Sequence, residues 1–126
     1  MVSNKEKNFI SAVIYVNNNE EQISSFLKDV YSTLDEKFNK FEIIVVNDYS
    51  TDNTVNKVKE FAKEIKSSAI SIINMSYYQG VELAMNAGVN LAIGDFVYEF
   101  DNVYKDYDNS VIIETYYKSL KGFDIV

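Results

Sequence analysis

One feature constrains this chain more than any other. Short apolar runs rich in branched residues alternate with stretches that carry apolar residues every three or four positions. Phe9 to Val16 and Phe41 to Val46 read as buried strands, and Ala69 to Asn74 and Asp95 to Phe100 as two further strands. Between the first two, Ile23, Phe26, Leu27, Val30, Tyr31 and Leu34 form one apolar stripe of a helix, with Asn19 as its expected cap. Val55, Val58, Ala62 and Ile65 do the same for a second helix, capped by Asp52. A third helix is expected from about Val81 to Ala92, with Leu83, Ala84, Ala87 and Leu91 inward and Gly94 as its stop. Ser110 to Leu120 reads as a fourth helix, and Phe123 to Val126 as the start of a fifth strand.

Strand–helix–strand order of this kind predicts an α/β fold: a Rossmann-like, three-layer α/β/α domain with a mostly parallel sheet and right-handed crossovers. At 126 residues the chain fits one domain. Ligands of such sheets bind beyond the carboxyl ends of the strands. The segments to watch are therefore Tyr15 to Asn19, Asn47 to Asp52, Asn74 to Gly80 and Asp101 to Tyr104.

Composition narrows the chemistry that those strand ends can perform. The chain has no cysteine and no histidine, which excludes thiolate chemistry, imidazole bases and most zinc sites. Any metal would be a hard ion with oxygen ligands, Mg²⁺ or Mn²⁺. Every basic residue is a lysine, and 12 of them face 19 acidic residues for a net charge of -7. The lysines alternate with glutamates, as in Lys57 to Glu60, which is the pattern of a solvated helix face and argues against a nucleic-acid partner. No apolar run is long enough to span a bilayer, and Met1 to Asn8 lacks an apolar signal core, so the expected location is cytoplasmic. A dinucleotide-binding domain is disfavoured because no G-x-G-x-x-G follows the first strand, and a phosphoacceptor domain because Asn17 to Asn19 stand where an acidic pair belongs.

Four segments, in order, resemble those of the family-2 glycosyltransferases of the GT-A fold. Ser11 to Glu21, SAVIYVNNNEE, is similar to the opening strand and turn, commonly V-I-P-x-Y-N-E. Glu42 to Thr54, EIIVVNDYSTDNT, is similar to E-I-I-V-V-D-D-G-S-T-D-x-T. Gln79 to Gly88, QGVELAMNAG, resembles the G-x-x-x-A-x-N-x-G helix, and Gly94 to Asp101, GDFVYEFD, the strand that leads to the D-x-D metal motif. The likeness covers roughly residues 9 to 104.

The resemblance implies a nucleotide-sugar donor, UDP-linked for preference, and inverting transfer of the sugar to a glycan or lipid acceptor, as in the making of cell-surface polysaccharides. It assigns Tyr15, Asn17 and Asn18 to the side of the nucleoside, Asp48 to the base, and Gly80 and Asn86 to the pocket beside the nucleotide. Asp101 falls near the ribose and the divalent metal. Departures are plain. The metal motif reads Asp101-Asn102-Val103, so its second carboxylate is gone, and Asp106 and Asp108 read as caps rather than replacements. Asn47 replaces an acidic residue, Tyr49 a glycine and Tyr15 a proline. The resemblance places the acceptor half and catalytic base after the metal motif, and neither Glu114 nor Asp124 is assigned as that base. The 126 residues are expected to be the donor half of a longer, membrane-associated enzyme and inactive alone. The competing reading is a non-catalytic relative that keeps the fold as a binding module. Tyr77 and Tyr78, beyond the third strand, are placed to stack on a ring or to pack on the third helix.

Overall fold

The computed structural model describes residues 6–66 and 69–100. Its elements follow in the order β1 (Glu6–Val16), α1 (Ile23–Lys37), β2 (Phe38–Asn47), α2 (Thr54–Ile65), β3 (Ile70–Asn74), α3 (Val81–Leu91) and β4 (Phe96–Phe100). The strands form one sheet in the order β3-β2-β1-β4, and every neighbouring pair is parallel. The expected fourth helix and fifth strand lie outside the described residues, as do Asp101, Val103, Asp106 and Asp108.

Strand alternation sorts the core into two layers. Ile10, Ala12, Ile14 and Val16 of β1, with Ile43 and Val45 of β2, point to the side covered by α1 and α2. There they meet Ile23, Phe26, Leu27, Val30 and Leu34 of α1 and Val58 of α2. Phe26 packs edge-on against Phe100 with ring centres 5.5 Å apart, and so ties α1 to β4. On the opposite side Val13, Ile44 and Val46 pack under α3 through Ala84 and Met85. Burial on both faces explains why β1 and β2 read as continuous apolar runs rather than alternating ones.

The third helix sits differently from expectation. Ala84, Met85 and Gly88 face the sheet, whereas Leu83 and Leu91 are 57% and 53% exposed. The reason is steric. A Cβ on Gly88 would stand 2.4 Å from Val13 Cγ1 and 2.7 Å from Val46 Cγ2, so the bare glycine lets the helix backbone lie directly on the strands. A larger residue turned inward would hold the helix off. Loop 93–95 is fixed by a similar close approach: Gly94 N–H donates to Ser11 Oγ at 2.9 Å, and Ile93 N–H to Glu42 Oε2 at 2.9 Å. Ser11 in turn donates to the same Glu42 oxygen.

The helix starts also depart in detail from the sequence reading. Asn19 does not cap α1 through its side chain; its Oδ1 accepts from Asn17 N–H at 2.7 Å. Its backbone carbonyl instead takes the N–H groups of Gln22 and Ile23, so a turn precedes the helix. Asp52 does serve the start of α2. Its Oδ1 accepts the Thr54 N–H at 3.0 Å and the Thr54 hydroxyl, and its Oδ2 accepts Glu20 N–H at 3.2 Å. Burial works to raise the Asp52 carboxyl, but these bonds outweigh it and hold the group below its usual range.

Candidate functional site

The carboxyl ends of β1 and β2 converge on one buried carboxylate, Asp48. It follows β2 directly, and its N–H is held by Val16 O at 2.9 Å, which extends the β1–β2 ladder one step. Strand alternation then turns its side chain to the α3 side, next to Tyr15. Asp48 is 0% exposed. Its Oδ1 accepts Gln79 N–H at 2.8 Å, and its Oδ2 accepts Gly80 N–H at 2.9 Å and the Tyr15 hydroxyl at 2.7 Å. The carbonyl of Asp48 takes the side-chain amide of Asn17 at 2.6 Å. One residue thereby ties the end of β1, the end of β2 and the loop that enters α3. A buried charge is tolerated only with such compensation, since leaving it unpaired costs several kcal/mol.

The sequence reading set Asp48 against the base of a nucleotide, whereas both of its oxygens are engaged by donors of the protein itself. Tyr15, Asn17 and Gly80 are drawn to the same point. Gly80 has φ 94°, a conformation that a side chain resists, and this lets its N–H turn back to the carboxylate before α3 begins. Asn18 stands beside them, exposed and left-handed at φ 56°. Its Oδ1 accepts Thr51 N–H at 2.7 Å and its own N–H donates to Ser50 Oγ at 2.9 Å, which pins the 48–53 loop to the end of β1. Asn47 holds the other flank, donating to Asn74 Oδ1 at 3.0 Å and accepting Ser50 N–H at 3.1 Å.

Asn86 is not part of this junction. It lines a separate open groove of about 490 Å³ between α3 and β4, with Val81, Glu82, Met85 and Glu99. The groove's β4 residue, Glu99, stands two positions before Asp101 in the sequence. Among the described residues no group of three Asp, Glu, Cys or His side chains is arranged to hold a metal ion. Asp48, the acidic residue that directly follows β2, has both carboxylate oxygens engaged by donors of the protein. Asp101, the expected metal ligand, lies outside the described residues.

Sequence reasoning did not find the role of Tyr15. The resemblance sets it beside the nucleoside, where a proline is common, whereas in the structure its hydroxyl completes the shell of Asp48. Burial first, and then the hydrogen bond and negative charge of Asp48, push the Tyr15 phenol well above its ordinary value of 10.0, with Tyr78 adding to the effect. A raised folded pKa means that this stabilisation is complete below about pH 10 and is lost as the pH climbs above it, because the unfolded chain gives up its proton first. Tyr15→Phe is therefore expected to cost about 2 kcal/mol near neutral pH, the range for a bond to a charged acceptor. The deficit should shrink above pH 10. Urea unfolding of both proteins at pH 7 and pH 10.5 checks this; a pH-independent difference would refute the assignment.

A parallel sheet covered by helices, whose carboxyl edge carries a short acidic turn with a glycine-led helix entering beside it, is a Rossmann-like α/β arrangement. The chain belongs to glycosyl transferase family 2, whose profile matches residues 11–102. It is 32% identical over 94 residues to the undecaprenyl-phosphate 4-deoxy-4-formamido-L-arabinose transferase of Edwardsiella ictaluri, covering 74% of this chain and 28% of that protein. It is 31% identical over 117 residues to an uncharacterized glycosyltransferase of Synechocystis, covering 93% and 36%. A dolichyl-phosphate beta-glucosyltransferase of Trichomonas vaginalis is 30% identical over 105 residues, with 79% and 32% covered. Among solved structures, the mannosyltransferase PcManGT from Pyrobaculum calidifontis, in complex with GDP-Man and Mn²⁺, superposes with a TM-score of 0.67 at 24% identity over 73% of this chain and 26% of its own. Residues 1–349 of S. aureus TarS, in complex with UDP, give 0.62 at 21% identity over 89% and 33%. These two establish the GT-A fold. The chain spans about a quarter to a third of the length of the relatives it matches.

Proposed function

We propose that this chain is the nucleotide-sugar-binding half of an inverting glycosyltransferase that uses a UDP-linked donor. The observation that carries the reading is the convergence of Tyr15, Asn17, Asn18, Asp48 and Gly80 at the carboxyl ends of β1 and β2. These are the ends at which parallel sheets take ligands. On this reading Asp48 is a positioning residue: it fixes the loops that border the nucleoside, and Asn17, Asn18 and the loop backbones face the ligand. Asn86 lines the separate groove between α3 and β4, which this reading gives to the diphosphate and sugar. A divalent cation held at Asp101 supplies positive charge against the diphosphate when bound.

The acceptor is a polyprenyl phosphate, a reading supported by the names of the relatives, which are undecaprenyl-phosphate and dolichyl-phosphate transferases. The parent enzyme then works at the cytoplasmic face of a membrane, although no described helix is long and apolar enough to cross one. The catalytic base belongs to the acceptor half.

Calorimetric titration with UDP, with and without Mn²⁺, tests the donor site, with GDP as control and Asp101→Ala as the variant. Metal-dependent binding of UDP, weakened about tenfold or more in the variant, is the expected result, on the scale of one lost charge-assisted contact. A folded chain that binds neither nucleotide would refute the donor site and leave the non-catalytic module, which the Asp101-Asn102-Val103 sequence already favours.

A further inference from the structure

Tyr49 is held in a conformation that nothing in the described fold repays. Its φ is 60°, in the left-handed region that a bulky residue enters only at a cost in free energy. Among the described residues, the two other non-glycine positions with positive φ have local reasons. Asn18 is of a type that tolerates this region, and Lys66 closes the C-terminus of α2. Tyr49 has neither excuse, and its side chain is 53% exposed, with no hydrogen bond or ring contact among the described residues. The strain persists because the loop is over-determined on both sides. Asp48 before it is locked by Val16 and by three side-chain acceptances, while Ser50 and Thr51 after it donate to Asn47 and Asn18. The result is a large flat ring set in solvent, in the loop whose flanking residues Asp48 and Thr51 are bonded to Asn17 and Asn18. Across the same carboxylate, the 75–80 loop presents Tyr78, 61% exposed.

We propose that Tyr49 is a ligand-binding residue whose ring stacks on the planar base of the bound nucleotide. The inference rests on the donor-site reading above and names what that site uses to hold the base. An exposed aromatic ring offers a π-face to any heterocycle, and stacking of this kind is worth a fold-change of about five to a hundred per base. The edge of the base then meets the amide side chains of Asn17 and Asn18. A ring kept for ligand and not for folding makes an unusual pair of predictions, because its removal should weaken binding and relieve the backbone together.

The test is Tyr49→Gly in the full chain, with Tyr49→Phe alongside. Each is titrated with UDP and with inorganic pyrophosphate, and melted by circular dichroism. Tyr49→Gly is expected to bind UDP about tenfold more weakly, to bind pyrophosphate as wild type does, and to melt at or above the wild-type temperature. Tyr49→Phe should keep wild-type affinity for UDP. If wild type binds UDP and Tyr49→Gly matches it within twofold, stacking is refuted while the donor site stands. Equal losses for UDP and pyrophosphate, or a fall of several degrees in melting temperature, would also overturn the proposal. If wild type binds no nucleotide at all, the donor-site reading itself has failed.

Discussion

Asp48→Ala should be among the most damaging single changes in this chain, costing roughly 3–5 kcal/mol of stability. The substitution strands the Gln79 and Gly80 N–H groups and the Tyr15 hydroxyl, all now satisfied by one carboxylate with no exposure to water. Asp48→Asn sharpens the test. Whichever way the amide is turned, its NH₂ faces either Gln79 N–H or Gly80 N–H, so one backbone donor is always orphaned. About 2 kcal/mol is expected for it, the cost of one buried unsatisfied donor and the lost charge. Urea unfolding followed by circular dichroism reads both. A cost under about 1 kcal/mol for Asp48→Ala would mean that the 75–80 loop is held by something other than this carboxylate.

The second large effect is expected at Gly88, where two forces oppose each other. Helix propensity favours Gly→Ala in the interior of α3 by about 1 kcal/mol. Packing disfavours it, since the new Cβ would lie 2.4 Å from Val13 Cγ1 and 2.7 Å from Val46 Cγ2. Overpacking of a close-packed interior costs about 1–3 kcal/mol, so packing wins and Gly88→Ala is destabilising. Gly88→Val adds two further methyl groups at the same contact and should lose about 3 kcal/mol or more. Val13→Ala in the Gly88→Ala background removes the nearest clash, so the two changes together should cost less than the sum of each alone. An additive double mutant, or a stabilised Gly88→Ala, would show that α3 moves off the sheet without penalty.

How far the sequence foretold the molecule can be judged from these two places. The strand ends were legible. Val16 and Asn47 close β1 and β2 because branched apolar runs give way there to Asn and Asp, and parallel pairing follows from strand–helix alternation. The family of the chain was legible from the Glu42 to Thr54 segment. The phase of α3 was not, because Val81, Leu83, Ala84, Met85, Ala87, Val89 and Leu91 make that helix apolar nearly all round. Hydropathy then cannot say which side faces the sheet; the small pair Ala84 and Gly88, four residues apart, decides it by size. Nor could the sequence show that Asp48 spends its oxygens on its own protein. That depends on Gly80 taking φ 94° and on Tyr15 reaching across from β1, neither of which leaves a local pattern. The cap at Asn19 failed for a related reason, since a backbone carbonyl did the task expected of the side chain.

The strand order has a consequence for how the chain is born. β1 lies in the middle of the described sheet, yet its two partners arrive far apart in time: β2 follows it closely, whereas Ile14 pairs with Phe100. At a synthesis rate of about 5–20 residues per second, a nascent β1 waits roughly 4–17 s with one edge open before β4 leaves the ribosome. During that interval Ile10 to Val16, wholly apolar on its α1 face, is a strand edge looking for a partner. The early pairing with β2 and the cover of α1 make a half-sheet that can hold until β4 docks. Mutations that slow that first pairing would show up as lost yield during expression, even where the finished protein is as stable as before.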